Sequence, residues 1–188
     1  PTSGLVTTEA GGAASFSVVL EKRPASNVTI PVSSSRPSEG GTATTGLTFT
    51  PANWMIPQTV TVLGADDFTD DGDQSYQILM GSAVSSDGAY SGLKPSDVTL
   101  TNIDDDTAGI LLAPTSGLQT SESGTTASFW IQLASRPTSS VTIPFTSSNI
   151  AEGTVSPGSV TFTPTDWNVP IQVTITGVDD LVSDGNVA

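Results

Sequence analysis

Asp104, Asp105 and Asp106 stand in a row between two apolar segments, in the stretch TNIDDDTAGI. Two like charges about 4 Å apart repel by roughly 1 kcal/mol in water and about 4 kcal/mol near a protein surface. A triplet of carboxylates therefore needs something to offset it. Most of the other aspartates in the first repeat are grouped too. Asp66, Asp67, Asp70, Asp71 and Asp73 fall within GADDFTDDGDQSY, and Glu9 sits in TTEAGG. The chemistry such a set offers is oxygen ligation of a hard cation. Calcium takes about six to eight oxygens, mostly from carboxylates and carbonyls. Magnesium keeps its waters and demands stricter geometry, so it suits a crowded carboxylate cage less well. The number of carboxylates points to more than one ion.

Charge narrows the partners. The 188 residues carry 19 acidic and 5 basic side chains, a net charge of −14. Such a chain repels a phosphate backbone and an anionic membrane surface, so neither nucleic acid nor membrane insertion is expected. No apolar run approaches the roughly 18 residues of a membrane span. Cysteine and histidine are both absent. Their absence excludes disulfides, thiolate metal sites, ordinary zinc sites and a Ser-His-Asp triad. No serine has a histidine to activate it, so the chain is expected not to be an enzyme. A hydrophobic fraction of 36% is enough for a packed core.

The elements that position these acids come from an internal repeat. PTSGLVTTEAGGAASF at Pro1 returns as PTSGLQTSESGTTASF at Pro114, an offset of 113. RPASNVTIPVSSS from Arg23 returns as RPTSSVTIPFTSS from Arg136, and LTFTPANW from Leu47 as VTFTPTDW from Val160. About half the aligned positions are identical, the mark of tandem duplication. The expected domains are 1–106 and 107–188. The second copy stops near the equivalent of Gln74, so it is expected to lack its last two strands. Each copy reads as short strands rich in Val, Thr, Ile and aromatics, bounded by Gly, Pro, Ser and Asp. About seven such strands per complete repeat predict an all-β fold of tandem immunoglobulin-like antiparallel sandwiches. The strand QTVTVLG runs into Asp66 and DVTLTNI into Asp104. If both strands run the same way, their acidic ends share a pole. Glu9 joins them if the first strand crosses between sheets at its middle. Acid runs are also common as solvated loop faces, and it is the convergence of three groups that favours ligation.

DDFTDDGDQSY followed by NIDDDTAGI resembles the Calx-β motif, named for the regulatory domains of sodium–calcium exchangers and recurring in integrin β4 and bacterial surface proteins. The resemblance covers the first repeat and the present part of the second. It implies Ca2+ as the ion and Glu9, Asp66, Asp67, Asp71, Asp104, Asp105 and Asp106 as ligand positions. Two departures stand out: Gln74 replaces a frequent Glu, and SSRPSEGGTATTG offers only Glu39 where a further aspartate is usual. The implied setting is extracellular, on a bacterial adhesin or surface stalk, with calcium stiffening the joint between neighbouring repeats of one chain. The alternatives are a module that binds a host or surface glycan or protein, and a filament subunit completed by a strand from another chain. Trp130 replaces Ser17 and is expected to point outward, as a contact residue for such a partner. Trp54 and Trp167, in matching FTPxxW positions, are expected to plug the two cores. In the second copy Glu122, Asp179, Asp180 and Asp184 lack the closing triplet, so a weaker or incomplete site is expected there.

Overall fold

The computed structural model describes residues 2–179. They form strands β1 (Leu5–Thr8), β2 (Ala13–Val18), β3 (Val28–Ser34), β4 (Gly40–Gly41), β5 (Gly46–Phe49), β6 (Gln58–Gly64), β7 (Gln74–Met80) and β8 (Val98–Ile103). Then follow β9 (Ile110–Ala113), β10 (Thr126–Leu133), β11 (Val141–Pro144), β12 (Gly153–Ser156), β13 (Ser159–Phe162) and β14 (Ile171–Gly177). There is no helix among the described residues, hence none long and apolar enough to cross a membrane. The chain divides into two compact units. The first holds the residues up to Asp67 together with Asp71–Asp105. The second holds Phe68–Asp70 together with the chain from Asp106 onward.

The first unit is a sandwich of a five-stranded sheet, in the order β1-β8-β7-β3-β5, and a three-stranded sheet, β2-β6-β4. Its eight strands are the predicted seven or so plus the two-residue β4. Period-2 alternation decides which side chains face inward. Val60 and Val62 on β6, Tyr76, Ile78 and Met80 on β7, and Val98, Leu100 and Asn102 on β8 are buried, while their neighbours look outward or lie partly covered. With Phe16, Val28, Ile30 and Phe49 the apolar members make one core between the sheets. Fully burying each large side chain contributes about 1.5–3 kcal/mol. Pro31 is not on an edge strand. It sits inside β3 where pairing passes from β5, which holds Val28–Pro31, to β7, which holds Val32–Ser34.

One neighbour pair breaks the antiparallel pattern. β1 runs parallel to β8, with Leu5 opposite Leu100, Thr7 opposite Asn102 and Thr8 opposite Ile103. β1 lies wholly in that sheet, and the chain changes sheets only afterwards, through the turn that leads into β2. Gly11 is in the left-handed region in this turn (φ 84°), and its repeat equivalent Gly124 matches it (φ 79°). A residue with a Cβ is strained at such φ values.

The second unit has sheets β12-β14-β10-β9 and β11-β13 among the described residues. Its core holds Ile131, Leu133, Val160, Phe162 and Val173, with Phe129 and Phe145 packed edge to face at 5.8 Å. Trp167 is partly buried against this core and its ring lies 6.3 Å from that of Phe68. Trp54 is half-buried but is not among the residues packed on the first core, so the expected plug is seen only in the second unit. Trp130 is 48% exposed, as its phase on β10 predicts.

Both units share a steric device at the end of the strand before the acidic loop. A Cβ added to Gly64 would overlap the Thr8 carbonyl oxygen and Asn102 Oδ1, and one added to Gly177 would overlap the Ser121 carbonyl oxygen. Ser121 is the repeat equivalent of Thr8. Glycine is required because the turn after the first strand passes directly over it. We therefore expect Gly64→Ala to destabilise the protein by about 1–3 kcal/mol, the usual effect of overpacking. Gly41→Ala, whose added Cβ meets nothing within 4 Å, should change stability by no more than about 1 kcal/mol. Urea unfolding of the two variants checks this, and equal midpoints would contradict it.

Candidate metal centre

Parallel pairing places the first acid. Because Thr8 lies opposite Ile103, the residues that follow, Glu9 and Asp104, emerge side by side. The Glu9 N–H donates to the Ile103 carbonyl at 3.0 Å, extending the ladder by one residue. Closing the turn, the N–H groups of Gly11 and Gly12 both donate to the Thr8 carbonyl at 3.1 Å. β6 supplies the second acid. The Gly64 N–H donates to the Gly12 carbonyl at 3.1 Å, so the end of β6 is held against this turn, and Asp66 follows two residues later.

The outcome is a trio. Carboxylate oxygens of Glu9, Asp66 and Asp105 lie within 4.8 Å of one another. Glu9 is only 5% exposed, Asp104 and Asp106 are half-buried, and Asp66 and Asp105 are exposed. Glu9 is thus the most buried member of the trio. A carboxylate removed from water is costly unless it is paired, hydrogen-bonded or bound to metal. The donor set is all carboxylate oxygen, with no nitrogen or sulfur within a chain that lacks His and Cys. Hard divalent cations favour that set, calcium above all, whereas soft metals favour thiolate and imidazole.

The remaining acids of the loop are placed differently. Asp67 and Asp71 fall outside the trio, and Asp106 belongs to the second unit. Asp71 is exposed, and its carbonyl accepts from Gln74 Nε2 at 2.8 Å. Gln74 Oε1 in turn accepts from Arg36 Nη1 at 3.0 Å. Asp73 Oδ1 accepts from the Asp104 N–H at 3.2 Å, and Asp104 Oδ2 accepts from the Gly72 N–H at 2.6 Å, which fastens this loop to the end of β8. Asp70 Oδ2 accepts from the Ala108 N–H at 2.8 Å. Buried Glu39 pairs with Arg36 at 3.0 Å. It is therefore committed to an ion pair. In the second unit Glu122 is exposed, and among the described residues no comparable trio includes it or Asp179. Asp180 and Asp184 lie outside the described residues.

Beneath the acids lies a polar group that the sequence reading passed over. Thr7, Tyr76 and Asn102 are buried. Thr7 Oγ1 donates to Asn102 Oδ1 at 2.9 Å and lies 3.0 Å from the Tyr76 hydroxyl. Asn102 Nδ2 donates to the Ala65 carbonyl at 3.0 Å. Burial pushes the Tyr76 phenol above its usual range; the Thr7 hydroxyl pulls it part of the way down, and the charge of Glu39 raises it. The available signal was the alternation in DVTLTNI, which puts Asn102 on the same inward face as Val98 and Leu100.

No protein-family model and no curated protein matches the sequence. Among solved structures the chain is similar to calcium binding domain CBD12 of CALX1.1, at 16% identity over 94% of this chain and 73% of that one, with a TM-score of 0.42. It is also similar to the CsuC–CsuE chaperone–tip adhesion subunit pre-assembly complex of Acinetobacter baumannii, at 6% identity over 77% and 78%, TM-score 0.42. The E. coli chaperone DraB matches at 8% identity over 95% and 84%, TM-score 0.41. With identities this low and TM-scores below 0.5, none of these bears on what this chain binds.

Crowding of the carboxylates has a direct consequence. In chelator and at low ionic strength, Asp105→Asn should raise the urea midpoint above wild type, because one like charge leaves the trio. The gain should shrink in about 1 M salt, where the Debye length is about 3 Å. A variant less stable than wild type in both salts would contradict the crowding argument.

Proposed function

We propose that this chain is a non-catalytic, calcium-binding module of an extracellular adhesion protein. The observation that carries the reading is the trio of Glu9, Asp66 and Asp105, brought within 4.8 Å from three separate segments, with Glu9 buried. These three carboxylates would hold the ion, with Asp104, which leaves β8 beside Glu9, as a further oxygen donor. A bound divalent cation supplies the positive charge that the crowding calls for. The protein's part is to bring the ends of β1, β6 and β8 to one pole and keep them there. The resemblance of DDFTDDGDQSY and NIDDDTAGI to the Calx-β motif supports the same ion and the same setting.

Calorimetric titration of calcium into the intact chain should show saturable binding. Glu9→Gln and Asp66→Asn should each weaken it by about tenfold or more, since affinity follows ligand charge. With calcium at about a hundred times its dissociation constant, the unfolding free energy should rise by about 2.7 kcal/mol. Absence of binding heat, with an unchanged melting temperature, would remove the reading.

A second reading, that the module also binds a glycan or protein, rests on the second unit. Leu111, Leu112 and Trp130 there are 49%, 42% and 48% exposed, and with Pro170 they line a recess of about 570 Å³. Partly exposed aromatics on an apolar floor are common at sites of recognition. Under this reading Trp130→Ala removes binding on a glycan or protein array and leaves the calcium titration unchanged. Array binding that survives the substitution would set it aside.

A further inference from the structure

We infer that Asn102 is a positioning residue for the acidic pole, holding the three carboxylate-bearing segments in register through its buried carboxamide. The inference rests on the calcium reading above for its purpose, but its geometry stands independently.

Each contact of the carboxamide reaches a different segment. Oδ1 accepts from Thr7, two residues before Glu9. Nδ2 donates to the carbonyl of Ala65, the residue before Asp66. Asn102 itself lies on β8, two residues before Asp104 and three before Asp105. One planar group therefore links β1, the exit of β6 and the end of β8, and it bridges the two sheets of the sandwich. Its orientation is set by chemistry. The Ala65 carbonyl can only accept, so it must face Nδ2, which leaves Oδ1 for the Thr7 hydroxyl. The Tyr76 hydroxyl lies 3.0 Å from Thr7 Oγ1 and completes the buried group. All of the carboxamide's visible hydrogen bonding thus serves alignment, on a core face where Val98 and Leu100 occupy the preceding inward positions.

A purely apolar residue would cover this position at lower desolvation cost. Asparagine adds a distance constraint between backbone segments. Gly64 makes that constraint possible, because any Cβ there would occupy the place of Oδ1.

The test uses the intact chain and three variants. Asn102→Leu removes both polar contacts at similar volume. Thr7→Val removes the hydroxyl alone and is the milder change. Val98→Ala destabilises the same strand far from the pole. In samples that circular dichroism shows to be folded, Asn102→Leu should weaken calcium binding by about 10–100-fold, the usual effect of losing a group that orients metal ligands. Thr7→Val should shift affinity in the same direction, and Val98→Ala should leave it within about twofold. In metal-free protein, hydrogen exchange should quicken at the amides of Glu9 and Ala65 in Asn102→Leu and stay unchanged at Val60 and Ile78. Equal calcium affinity in Asn102→Leu and Val98→Ala, or exchange that quickens uniformly, overturns the inference. If wild type binds no calcium, the calcium reading fails, and the exchange pattern alone decides whether Asn102 holds the segments.

Discussion

The acidic pole depends on one pairing, that of β1 alongside β8. Two parallel strands leave the sheet on the same side, so whatever follows each of them is juxtaposed. With Thr8 opposite Ile103, Glu9 and Asp104 have no choice but to meet. An antiparallel partner would have put the end of one strand beside the beginning of the other, and the acids would have separated. β6 then completes the arrangement from the opposite sheet. Its last residue is a glycine over which the Thr8 carbonyl passes, and this close approach brings Asp66 to Glu9.

Polar groups at this end of the core are used differently from those elsewhere. Along β8 the inward positions read Val98, Leu100, Asn102, and along β1 the buried Thr7 occupies the end nearest the pole. The middle of the sandwich is apolar and gains stability from burial. Its acidic end gives up some of that gain for hydrogen bonds that fix distances. The same division appears among the carboxylates. Asp70 and Asp73 accept backbone N–H groups and shape the loop, whereas Glu9, Asp66 and Asp105 face one another. Equal charge and similar spacing along the chain thus serve two different ends.

The two copies show how far a shared sequence carries. Gly11 and Gly124 have nearly the same φ, and Gly64 and Gly177 meet the same backbone atom of equivalent residues. These are local requirements, met wherever the turn and the strand after it recur. Burial of the threonine before the turn is not local. It needs Asn102 and Tyr76, which reach Thr7 from distant strands.

The strands, the repeat and the grouping of the acids are legible in the order of residues alone. Alternation of apolar residues and turn-forming Gly, Pro and Asp are local signals that survive in one dimension. That order also carried the expectation that Glu9, Asp66 and the Asp104–Asp106 triplet converge, although the reason it offered for Glu9, a strand crossing between sheets at its middle, was not the one found. Tertiary structure alone decided which acids face each other and which hold backbone, as the separate placements of Asp71, Asp70 and Asp73 show. It alone disclosed that Asn102 links three segments, because a hydrogen bond between residues 37 or 95 positions apart leaves no periodic trace in the chain. Register between a first and a last strand is a property of the assembled sheet, and the chemistry of this pole follows from that register.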